Sequence, residues 1–120
     1  SEYYLHTFTP KQPDLNWENP VVREEVYKIM RWWLNKGVDG FRMDVINFTS
    51  KAPGYPEGQP MDDGQYTDGS PYFINGPRIH EYMQEMHEKV LQHYNIVTVG
   101  ECPGNLSSHL LESATLIVIA

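Results

Sequence analysis

Two carboxylates carry the chemistry in this chain. Asp44 lies in the run Val38-Asp39-Gly40-Phe41-Arg42-Met43-Asp44-Val45-Ile46, and Glu101 follows Ile96-Val97-Thr98-Val99-Gly100. Both runs read as strands, and each delivers its acid at the strand's C-terminal end. An Asp and a Glu presented together in this way can cleave a glycosidic bond, one as nucleophile and one as acid/base. Arg42 stands two residues before Asp44, so on a strand the two share a face. A guanidinium there keeps the carboxylate ionised, as a nucleophile must be. Gly100 permits close approach of a ligand or an unusual backbone angle beside Glu101. Against an apolar wall the Glu101 pKa would rise, which suits a general acid. The competing reading is a structural Arg42–Asp44 ion pair and a solvated glutamate at a strand end; spacing alone leaves both open.

The elements that must position these acids are legible. Asn19-Pro20 has the form of a helix start, with Asn as N-cap and Pro at the first helical position. Glu24 and Glu25 fall in the early turns, where negative charge complements the helix dipole. Val22, Val26, Ile29, Met30, Trp33 and Leu34 recur at three- and four-residue spacings and predict one apolar face, ended by Gly37 as a C-cap glycine. A strand over 38–46 follows. Ala52 to Tyr72 is dense in Pro, Gly, Asp and Tyr without a period, and a loop that long is functional or disordered. Asn75-Gly76-Pro77 opens a second helix with Ile79, Met83, Met86, Val90 and Leu91 on one face. His93-Tyr94-Asn95 closes it before a strand over 96–99. Ser1 to Trp17 reads as loop. Helix, strand, long loop, helix, strand predicts parallel strands with crossover helices, the α/β class. In such folds catalytic groups gather at the C-terminal ends of the strands.

Bulk properties narrow the partners. The 120 residues are 40% hydrophobic and 12% aromatic, in keeping with a globular chain. Sixteen acidic against nine basic residues give a net charge of -7, which argues against nucleic acid and against an anionic membrane as partners. The aromatic side chains fit sugar handling and core packing equally well. Cys102 is the single cysteine, so there is no internal disulfide; this leans towards a reducing compartment and a cytoplasmic location. Leu116-Ile117-Val118-Ile119-Ala120 is too short to span a bilayer. The chain starts at Ser1 without a Met, inside an apparent loop, so the true N-terminus is expected upstream.

Other candidates are weaker. His6, His80, His87, His93 and His109 show no metal-ligand spacing, and His87-Glu88 is not an H-E-x-x-H site because position 91 is Leu. Asp62, Asp63 and Asp68 suggest calcium, yet their spacing misses an EF-hand and solvation is the better reading. Cys102 is expected to pack beside Glu101, Asp14 to shape its loop, and Trp32 and Trp33 to lie in the core. No cofactor and no metal are expected.

Gly40-Phe41-Arg42-Met43-Asp44-Val45 and Val99-Gly100-Glu101 resemble the nucleophile and acid/base motifs of the α-amylase family of glycoside hydrolases. Gln12-Pro13-Asp14-Leu15-Asn16 is similar to the motif that marks the oligo-1,6-glucosidase branch. The likeness runs from about Tyr3 to Gly104 and does not continue through Asn105 to Ala120. It implies that Asp44 is the nucleophile, Glu101 the acid/base and Arg42 the side chain orienting the nucleophile. A Val at the position of Val45 resembles enzymes preferring α-1,6 linkages, although plain strand packing explains Val45 equally well.

The resemblance further implies part of a (β/α)8 TIM barrel, about the third helix to the fifth strand. Residues 1–16 would end the small domain inserted after barrel strand 3, and residues 17–120 would belong to the barrel. A complete barrel needs ~250 residues. The family's further Asp, its strand-end His residues and its early strand motif are not in this chain. The implied activity is retaining hydrolysis of α-1,6 or α-1,4 glucosidic bonds in short, isomaltose-like oligosaccharides, with carboxyls ~5–5.5 Å apart. Within the family the alternatives are trehalose-6-phosphate hydrolase, dextran glucosidase or sucrose isomerase. Outside catalysis, the alternative is a glucosidase-like accessory subunit of a transporter. The segment alone is expected to be inactive, since half a barrel leaves open sheet edges.

Overall fold

The computed structural model describes residues 2–62 and 64–104, and the backbone of Thr115–Ile119. Helix α1 spans Pro20–Asn35 and starts as predicted: Asn19 Oδ1 accepts the Val21 N–H at 3.0 Å, and Pro20 needs no partner for a missing N–H. No acid lies in its first turn, so Glu24 and Glu25 fall one turn too late for the dipole role. Gly37, at φ 97, turns the chain out of the helix.

The buried stripe of α1 is Arg23, Tyr27, Met30 and Leu34, rotated from the predicted face. Trp32 and Trp33 are 54% and 48% exposed, so they are not core. The cause lies on the next long helix. Glu85 takes a 2.5 Å bond from Arg23 Nε and a 3.0 Å bond from the Tyr27 hydroxyl, so two polar-tipped side chains turn inward. The tryptophans instead pack edge to face on each other, their ring centres 4.7 Å apart.

Strand β1 covers Gly40–Met43. Gly40 has φ +152, and a Cβ there would collide with the Val97 carbonyl of the neighbouring strand, so only glycine fits. The strand predicted to reach Ile46 stops at Met43. Asp44 occupies a turn, Val45 is left-handed at φ 38 and ψ 43, and a 3₁₀ turn covers Ile46–Phe48. The long aperiodic segment, expected to be a functional or disordered loop, carries short elements of its own. Within it β2 (Gln59–Pro60) pairs antiparallel with β3 (Thr67–Asp68), and a single turn, α2, covers Ser70–Phe73. Its ends are drawn together by Ala52 N–H to Tyr72 O at 2.7 Å, Gly76 N–H to Ser50 O at 3.0 Å and Asn75 N–H to Asn47 O at 2.9 Å.

Helix α3 runs Ile79–Lys89, a little later than its Asn-Gly-Pro signal, and a separate 3₁₀ turn covers Leu91–His93. Strand β4 (Val97–Cys102) pairs parallel with β1, in register from Gly40 opposite Val97 to Met43 opposite Gly100. This is the crossover arrangement that the element order predicts. The third strand of the sheet departs from that prediction. Strand β5 (Thr115–Ile119) adds antiparallel to the other edge of β4, so the sheet is mixed, in the order β1-β4-β5, and does not close into a barrel. One apolar core joins Tyr27 and Leu34 of α1, Tyr82 and Met86 of α3, and Met43 and Cys102 at the strand ends.

Candidate active site

The strand pleat decides which side chains can meet. On β4, Thr98, Gly100 and Cys102 are buried while Val99 and Glu101 alternate with them, so Glu101 lies on the face away from Cys102 and the core. On β1, Met43 is buried and Arg42 exposed, which puts Arg42 on that same outer face. Because Met43 pairs with Gly100, Asp44 and Glu101 stand at adjacent C-terminal strand ends.

Arg42 links them. Its Nη1 donates to Asp44 Oδ1, and its Nη2 lies 2.9 Å from Glu101 Oε2. The Val45 N–H points at the same Glu101 Oε2 from 3.3 Å. The Arg42 bond, followed by the contact with Glu101, holds the Asp44 carboxyl below its usual range, so it is ionised at neutral pH. Reciprocally, the Asp44 bond raises the Arg42 pKa. The arrangement offers an ionised, solvent-facing carboxylate beside a second acid, both oriented by one planar cation. The polar partners of Glu101 are a guanidinium and a backbone N–H.

Of the four residues singled out in the sequence, Arg42, Asp44 and Glu101 come together directly, and Val45 joins through its main chain. Strand alternation does not govern Val45, because the chain leaves the strand at Asp44. Sequence reasoning missed Asn47, which is 2% exposed and donates from Nδ2 to the Pro103 carbonyl at 2.9 Å. The available signal was a lone amide within Val45-Ile46-Asn47-Phe48.

The remaining candidates resolve differently. Cys102 is buried; burial, with the Glu101 charge second, pushes its thiol pKa up and disfavours thiolate. Asp14 shapes its loop as expected: Oδ1 accepts from the Thr7 N–H at 3.4 Å and the Thr7 hydroxyl at 3.1 Å, while Lys51 Nζ lies 3.4 Å from Oδ2. Asp14, Trp17 and Lys51 border a cavity of about 80 Å³, large enough for a few waters and far below a sugar. Asp68 accepts the Ser70 N–H at 2.9 Å. His6 and His93 contact the carbonyls of Phe8 and Glu88. Asp63 and His109 lie outside the described residues. Among the described residues, no three His, Cys, Asp or Glu side chains are grouped to hold a metal, and no helix is long and apolar enough to cross a membrane.

Known proteins resemble this chain in sequence and in fold. The sequence model described as alpha amylase, catalytic domain, matches residues 1–112. The oligo-1,6-glucosidase of Halalkalibacterium halodurans is 65% identical over 103 residues, which are 86% of this chain and 18% of that protein. The alpha-glucosidase of Pediococcus pentosaceus is 57% identical over 113 residues, 94% of this chain and 20% of that protein. Among solved structures, the trehalose-6-phosphate hydrolase of Bacillus licheniformis superposes with a TM-score of 0.76 at 45% identity, over 87% of this chain and 18% of that one. The chain thus spans about a fifth of the length of the relatives it matches.

Proposed function

Because the chain belongs to the α-amylase catalytic-domain family of TIM-barrel glycoside hydrolases, we propose that it is a segment of a retaining α-glucosidase acting on short, isomaltose-like oligosaccharides. In this reading residues 1–16 end the small domain inserted after barrel strand 3. Residues 17–120 supply about the third helix to the fifth strand, and the rest of the barrel lies elsewhere in the polypeptide. Asp44 attacks the anomeric carbon as Glu101 protonates the departing glycosidic oxygen. Glu101 then takes a proton from water, which releases the sugar from Asp44 with its configuration retained. Arg42 keeps Asp44 ionised until it attacks, and Val45 borders the sugar next to the nucleophile.

The observation that carries this reading is the bridging of Asp44 and Glu101 by Arg42 at the ends of two parallel strands. Both carboxylates are present and oriented, which argues against a non-catalytic transporter subunit. A second reading, trehalose-6-phosphate hydrolysis, draws support from the 45% identity to the Bacillus licheniformis structure. Assay of the complete polypeptide on isomaltose, maltose, sucrose and trehalose-6-phosphate separates the two. Isomaltose is expected to be the best substrate, with the α-anomer of glucose appearing first by NMR. Preferential cleavage of trehalose-6-phosphate, or a first-formed β-anomer, overturns the assignment.

A further inference from the structure

Glu101 is tied to the nucleophile's loop at two points. The first is the Val45 N–H, which reaches Glu101 Oε2 because Val45 sits at φ 38. A β-branched residue is strained in that region, so the surroundings must hold it there. The second tie is further along both chains: Asn47 Nδ2 donates to the carbonyl of Pro103, two residues beyond Glu101 and 56 from Asn47. The carbonyl fixes the orientation of the amide, since only the NH2 group can donate to it.

Asn47 is itself anchored. Its own carbonyl accepts the Asn75 N–H, and the 3₁₀ turn around it is closed by Phe48 N–H to Val45 O at 3.0 Å and the Thr49 hydroxyl to Ile46 O at 2.9 Å. Its Oδ1 is buried with no hydrogen-bond partner among the described residues. A buried, unpaired amide oxygen disfavours folding, so an aliphatic side chain would suit this position better on packing grounds alone. What the asparagine supplies that an aliphatic residue cannot is the bond to Pro103.

We propose that Asn47 is a positioning residue for the acid/base Glu101, holding the end of β4 at a fixed distance from the nucleophile's loop. The proposal rests on the retaining-glucosidase reading above. Without the Asn47 bond, the main chain just past β4 loses an anchor and the Glu101 carboxyl is left to Arg42 and the Val45 N–H, while Asp44 keeps its own bond to Arg42. The defect therefore falls on proton delivery to the leaving group and spares nucleophilic attack.

The leaving group reports this directly in the complete polypeptide. Asn47→Ala should lower kcat/KM on isomaltose, whose departing oxygen needs a proton, by about 10–100-fold. The kcat/KM of a dinitrophenyl α-glucoside, which reports the first step alone and whose leaving group departs unaided, should change less than about threefold. The high-pH limb of kcat/KM, which reports the acid/base, should move as well. Asn47→Ser, smaller and also without the amide donor, gives the same split should the alanine variant fail to fold. Equal losses on both substrates, or none on either, overturn the positioning role. A parent enzyme inactive on both glucosides overturns the underlying function instead, so the two failures are distinct.

Discussion

Arg42 Nη2 lies 2.9 Å from Glu101 Oε2, so the acid next to the end of β4 and the acid just beyond β1 share one guanidinium. Without it two carboxylates at neighbouring strand ends would repel. With it, Asp44 stays ionised even in weak acid.

Arg42→Gln tests this in the complete polypeptide. Asp44 is held below its ordinary value of 3.8, chiefly by Arg42, so losing the cation lets its pKa rise. The acidic limb of kcat/KM on isomaltose should move to higher pH, and kcat at neutral pH should fall by about 10²-fold, as for loss of one preorganised donor. An unmoved acidic limb would mean that Arg42 does not set the charge of Asp44.

Glu85 sets an acid limit on stability. Burial alone would raise its pKa, but bonds from Arg23, Lys89 and Tyr27 more than offset this and leave it below the ordinary 4.5. A depressed folded-state pKa gives stability that is present above the unfolded value and lost as pH falls through the folded one. Thermal melting should therefore weaken below about pH 4.5 in the parent. Glu85→Gln should be less stable at pH 7 and flatter below that point. Identical pH slopes in both proteins would remove Glu85 from this role.

Arg23→Met should cost about 3 kcal/mol in chemical denaturation, because it leaves Glu85 half-buried without its closest cation. The double variant Arg23→Met, Glu85→Leu should recover most of that loss, since paired removal of a buried ion pair is often near neutral. A double variant no better than the single one contradicts the assignment.

Gly40→Ala forces a Cβ onto the Val97 carbonyl at a positive φ. A loss of about 2–4 kcal/mol is expected, combining backbone strain with displacement of the strand pair. Since β1 carries Arg42 and precedes Asp44, activity of the complete polypeptide should fall together with stability. An alanine variant as stable as the parent would show that β1 and β4 are further apart than described.

The Cys102 thiol should react slowly with an aromatic disulfide reagent in the native state and fast in denaturant, because it is buried and its pKa is raised. Rapid labelling of the folded chain would place Cys102 at the surface.

Where signals are local, the sequence was informative. Asn19 and Pro20 mark the start of α1 by capping chemistry that needs no distant partner. The alternation of elements foretells the parallel β1–β4 pair, and with it the meeting of Asp44 and Glu101. What was hidden depends on distant contacts. Trp32 and Trp33 read as core because the inward turn of Arg23 and Tyr27 is set by Glu85, some sixty residues away. Val45 reads as strand because β-branched residues usually are extended; its left-handed turn makes sense only once Glu101 stands opposite its N–H. Asn47 gave no sign of its partner, Pro103, for the same reason.

The excursion between Ser50 and Gly76 leaves and returns through one neck, closed by the Ala52–Tyr72, Ser50–Gly76 and Asn47–Asn75 backbone bonds. Outside the neck it is also held by side chains: Tyr66 meets His6 edge to face with ring centres 6.4 Å apart, and Phe73 meets Phe48 at 5.0 Å. Between these contacts its length can change at little entropic cost, because closure entropy grows slowly with loop length. The tip of the hairpin between Pro60 and Thr67 is thus the part whose length can vary while the neck bonds stay in place.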